Sequence, residues 1–127
     1  MKIRTKDLIG PALDWAAAKA EDNEDCRDPC VTRTLDGMET YVKVTTFSGY
    51  EADWEPSVDW SQAGPIIDRE DIHWGFGTKD GNKVVIASKF GHHVKPLLGP
   101  TPLIAAMRCF VASRLGDEVE IPEELCK

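Results

Sequence analysis

The sequence predicts an α+β fold, a small antiparallel sheet packed with two main helices, on three observations. Segments near both ends repeat apolar residues at spacings of three and four. Between them run alternating, β-branched stretches, and a tight turn signal folds two of these into a hairpin. At 127 residues the chain has the length of one ordinary domain, so residues 1–127 are read as a single domain. Its 42% hydrophobic and 29% charged residues are those of a folded protein, not a disordered one.

The first helix lies in TKDLIGPALDWAAAKAE, where Leu8, Ala12, Trp15, Ala16 and Lys19 share one stripe and Thr5 is the expected N-cap. Pro11 removes a backbone donor, which places the secure part at Pro11 to Ala20. Next come the alternating run from Thr40 to Phe47 and a hairpin made by DIHWGFG and KVVIASK, with Asp80-Gly81-Asn82 in its turn. TPLIAAMRCFVASRLG is the cleaner helix, with Thr101 as N-cap, Pro102 first and Gly116 just past its end. Leu103, Ile104, Met107, Phe110 and Val111 form its apolar face, and Arg108 lies on the edge of that face. Val119 to Ile121 adds a short edge strand before Pro122.

Charge and composition exclude several functions. The net charge of −7 argues against general nucleic-acid binding, which draws on accumulated Lys and Arg. Acid is concentrated early, much of it in Glu21 to Asp28: a solvated loop, or else a protein-docking surface or a DNA-mimic patch. No apolar run is long enough for a membrane span, and MKIRTKDLIG lacks the apolar stretch of a signal peptide, so a cytoplasmic protein is expected. Cys26, Cys30, Cys109 and Cys126 form no disulfide framework and are read as thiols. Cys26 and Cys30 lack the tight CxxC spacing and His92 and His93 are adjacent, so no metal and no cofactor is expected.

Candidate ligand residues cluster around DWSQAGPIIDRE, a segment read as irregular. Trp54 and Trp60 are either core plugs or stacking platforms, the latter worth about 1–3 kcal/mol per base. Asp59 and Gln62 supply groups for a ribose or base edge, Gly64 permits close approach, and Arg69 and Arg108 suit phosphate. The basic strip holding Lys89, His92, His93 and Lys95 is either a solvated loop or a lid over an anion. No nucleophile elbow or phosphate loop is present, and Asp59 with His73 is the one acid–base pairing to consider.

Three blocks carry a family resemblance: KIRTKDLIGPALDWAAAKAE, WEPSVDWSQAGPIIDRE and GPTPLIAAMRCFVASRLGDEVEIPEEL, together about half the chain. They resemble the NinX family of lambdoid and related tailed phages and their prophages. That family more often carries Tyr-Ser-Pro-Ser and Gly-Gly where this chain has Trp54-Glu55-Pro56-Ser57 and Ala63-Gly64. The resemblance implies a phage accessory protein in the cytoplasm of an infected or lysogenic host, a setting and not a mechanism.

In that setting the favoured expectation is a homo-oligomer that sequesters a nucleotide-type host signal without turnover, an anti-defence sponge. The alternatives are an inhibitor that binds a host protein through its acidic face, and a nucleotide-processing enzyme using Asp59 or His73.

Overall fold

The computed structural model describes residues 1–21, 30–34, 41–45, 51–91, 95–121 and 123–126. In chain order these form β1 (Lys2–Arg4), a 3-10 turn (Thr5–Asp7), α1 (Gly10–Glu21), β2 (Cys30–Thr34), β3 (Tyr41–Thr45), β4 (Glu51–Asp53) and α2 (Trp60–Arg69). There follow β5 (Ile72–Lys79), β6 (Asn82–Lys89), β7 (Leu97–Gly99), α3 (Pro102–Leu115), β8 (Glu118–Glu120) and a last 3-10 turn. The α+β class is as expected, with a third helix and three antiparallel sheets, ordered β1-β8, β2-β3-β4 and β5-β6-β7. Among the described residues no helix is long and apolar enough to cross a membrane.

The helix α3 is the centre of the core. Its Thr101 cap accepts from the Ile104 N–H at 3.2 Å, and Gly116, at φ +90°, ends it. All five residues of the expected apolar face are buried, and so are Ala105, Ala106, Cys109 and Ala112, so the helix is enclosed on nearly every side. Burial pushes the Cys109 thiol up to about 11, which keeps it protonated. Helix α1 packs on α3, and its Leu13, Ala16, Ala17 and Ala20 are buried in the shared core, where the short alanine side chains permit close approach.

Two expectations are corrected. Thr5 is no N-cap: it is buried in the 3-10 turn and its hydroxyl donates to the Gly116 carbonyl at 2.6 Å. The segment after Asp59 is a helix despite Pro65. Asp59 caps it by accepting from the Ser61 N–H at 2.9 Å, and Ser61, whose carbonyl loses the donor that Pro65 lacks, is exposed to water.

The hairpin turns at Asp80 (φ +53°) and Gly81 (φ +81°), two left-handed residues in succession that match the right-handed twist of the strands. In the register Trp74, Ala87 and Leu97 form one row across the sheet, and Phe76, Val85 and Gly99 the next. Helix α3 lies over the middle of these rows, on Val85 and Ala87, and Gly99 brings β7 against its first turn.

Candidate functional site

The expected ligand residues do not converge on one pocket. Trp54 is 5% exposed and its Nε1 donates to the Asp14 carbonyl at 2.9 Å, so it fills the core and offers no face for stacking. Gln62 is buried, its Oε1 taking the Glu55 N–H at 2.6 Å, and Asp59 is engaged as the α2 cap. Gly64 sits within α2, half-buried.

Both arginines are engaged inside the fold. Arg69 pairs with the fully buried carboxylate of Glu21, its Nη1 3.5 Å from Oε2, while its guanidinium lies 6.0 Å from the centre of the Phe110 ring. Arg108 donates through Nε to the Leu8 carbonyl at 2.8 Å and through Nη1 to the Leu98 carbonyl at 2.7 Å. Burial lowers its pKa, a shift the Asp7 carboxylate opposes. Arg108 therefore binds two chain segments to α3 instead of presenting a fork to phosphate.

Trp60, by contrast, is 51% exposed. Its ring centre lies 6.0 Å from that of Trp74, which lies 6.0 Å from Phe76, and Lys83 Nζ sits 4.0 Å over Phe76. This row runs along β5, one edge of the sheet. His73 is on the other face of that strand with its ring 6.1 Å from Phe90, so neither it nor Asp59 is engaged with the other.

Across α3, at the β7 edge, a cleft of about 860 Å³ opens. Arg4, Thr5 and Lys6 form one wall, Lys95, Pro96 and Leu97 the second, and the end of α3 with Asp117 and Glu118 the third. Its walls are tied at the base: the Thr5 N–H donates to the Asp117 carbonyl at 2.8 Å beside the Thr5–Gly116 bond. Of the basic strip, Lys95 lines this cleft. Lys89 instead lies 3.8 Å from Glu70, and His92 and His93, with Cys26, lie outside the described residues.

Arg4, Lys6 and Lys95 make no ion pair among the described residues. Glu118 stands opposite Arg4 across the β1–β8 pair, so the cleft offers cations and carboxylates around the apolar surface of Pro96, Leu97 and Ala112. Nothing local in the sequence singles out Arg4 and Lys6, because β1 and the turn after it are brought to the site by a partner strand at the far end of the chain. A signal did exist: Lys2 and Arg4 alternate with Ile3 as Glu118 and Glu120 alternate with Val119, and the register sets these opposite charges face to face.

The family model described as Bacteriophage P22, NinX matches residues 4–114 of this chain. No curated protein matches it.

Proposed function

The chain belongs to the NinX family of phage proteins, and from that premise we propose that it binds a nucleotide-type host molecule and holds it without turnover. The observation that carries this reading is the cleft, where Arg4, Lys6 and Lys95 converge with no carboxylate paired to them among the described residues. A volume of about 860 Å³ falls within the range of small-molecule sites. Phosphate oxygens suit the three cations, ribose hydroxyls or a base amine suit Asp117 and Glu118, and a base face suits Leu97 and Pro96. In a phage protein, such binding removes a nucleotide signal from the host. Trp60, on the far side of α3, is not part of this site.

The test is a thermal-shift screen against cyclic, linear and NAD-derived nucleotides, beside Arg4→Ala, Lys95→Ala and Trp60→Ala. A ligand at about 100 times its Kd stabilises the folded state by about 2.7 kcal/mol. The expected result is a shift lost in the first two variants, kept in the third, with intact ligand recovered after long incubation. A flat screen would overturn the reading and leave the acidic segment and a host protein as the working idea.

A further inference from the structure

The hairpin register fixes which way the backbone of β5 faces. The two-residue turn makes Lys79 and Asn82 a hydrogen-bonded pair, so Gly77, Gly75 and His73 likewise direct their N–H and C=O groups to β6. The backbone groups of Ile72, Trp74, Phe76 and Thr78 then point to the opposite side, and β5 is the edge of its sheet. None of these groups has a hydrogen-bond partner among the described residues. The strand is long and lacks proline, it carries exposed aromatics at Trp74 and Phe76, and its one Lys, Lys79, stands at the turn end, so its middle has none of the features by which proteins usually protect an edge.

We propose that this edge pairs antiparallel with the same edge of a second copy of the chain, on a twofold axis at Gly75, joining two three-stranded sheets into one. Charge and shape select the occupant and the register. Centred at Gly75, the pairing sets Trp74 opposite Phe76 of the second copy, an aromatic pair on the α3 side of the sheet beside Trp60. It also brings Lys79 level with Asp71 of the second copy, the turn residue just before β5, at both ends. Moving the axis to Trp74 would carry Lys79 past the start of β5 to the end of α2, and moving it to Phe76 would oppose Lys79 with His73, so both neighbouring registers lose the complementary pair. The axis itself falls on glycine, where two backbones can approach closely. A strand pairing with its own copy is isologous, so the assembly closes as a dimer and does not propagate.

The experiment measures the solution mass of the full chain by light scattering at micromolar concentration, with cysteine cross-linking as a second readout. The expected mass is that of a dimer. Thr78→Pro removes an outward N–H at a position where an edge strand tolerates proline, and the expected product is a monomer with an unchanged circular dichroism spectrum. Lys79→Glu is expected to give a monomer too, and adding Asp71→Lys to restore the dimer. Gly75 has open space around it, so Gly75→Cys is expected to form a disulfide-linked dimer on oxidation that neither the unmodified chain nor Gly77→Cys forms. A monomeric wild type would overturn the proposal. So would a dimer that survives both Thr78→Pro and Lys79→Glu, and should the proline variant unfold, the charge swap and the cross-link decide.

Discussion

Trp54 and Asp14 hold one another from two sides of the core: the indole Nε1 donates to the Asp14 carbonyl at 2.9 Å, and the Asp14 carboxylate takes the Ser57 N–H at 2.8 Å. A single residue of α1 thus fixes the chain that leads from β4 into α2. The cost is a buried carboxylate held by the Ser57 backbone and hydroxyl, with no cation paired to it among the described residues. Burial pushes the Asp14 carboxyl up to about 6 from its usual 3.8, against the lowering effect of the Ser57 hydrogen bonds.

That shift makes a pH prediction. Because the folded-state value lies above the unfolded one, the folded protein holds a proton the unfolded chain releases, and the associated stability is fully present below about pH 4. It is lost as pH rises through about 6, by an amount on the order of 3 kcal/mol. Asp14→Asn keeps an acceptor for Ser57 and removes the charge. Urea midpoints across this window are expected to fall with pH in the wild type and to fall much less in the variant. Parallel curves would show that Asp14 does not titrate on unfolding.

Trp54 is expected to act through its volume and its donor separately. Trp54→Phe removes the N–H and part of the ring, with an expected loss of about 1–2 kcal/mol, whereas Trp54→Ala is expected to cost about 3–5 kcal/mol. Nucleotide binding in Trp54→Phe is expected to match the wild type, because the indole is buried away from the cleft.

Arg108 gives a third prediction. Its two hydrogen bonds reach Leu8, before α1, and Leu98, in β7, so removing them strands two carbonyls at once. Arg108→Ala is expected to cost roughly 2–4 kcal/mol, and Arg108→Lys to recover only part, since one ammonium cannot reproduce the planar fork. Chemical denaturation compares the three directly. If the alanine variant unfolds with the wild type, the arginine is not the structural clasp described here.

How much of this was legible in the sequence follows from the range of each interaction. Thr101, Pro102 and Gly116 bound α3 by local chemistry, and the structure places its ends where those residues set them. Asp80-Gly81 likewise specifies its turn locally. The strand expected at Val119 to Ile121 is β8, but its pairing with β1 depends on residues more than a hundred positions apart, and β1 is too short for periodicity to reveal it. DWSQAGPIIDRE misled because Pro65 is a strong local signal against a helix, outweighed by the Asp59 cap and by burial of Ala63 and Ile66. The internal engagement of the two arginines was hidden for a related reason. Their residue type shows what they can hold, but the partners they do hold, Glu21, Leu8 and Leu98, come from elsewhere in the chain.

Gly99 supplies the last prediction, one that links packing to the cleft. A Cβ at Gly99 would lie 2.7 Å from the Ala105 nitrogen, closer than real Cβ contacts come, and a tight 3.0 Å from its Cα, and the obstruction is helical backbone that cannot swing aside. In Gly99→Ala, β7 must therefore move off the first turn of α3, with an expected cost of about 1–3 kcal/mol. Trimming the opposite side chain with Ala105→Gly is expected to give little rescue, because it leaves the nitrogen and Cα in place. The same displacement carries Leu97, and with it the wall that holds Lys95, away from Arg4 and Lys6 across the cleft. Ligand affinity in Gly99→Ala is accordingly expected to fall together with the urea midpoint, although the substituted residue adds no charge and lies outside the cleft lining. Full affinity in a destabilised variant would show that β7 can shift without moving the basic wall, and would separate the packing of this edge from the site.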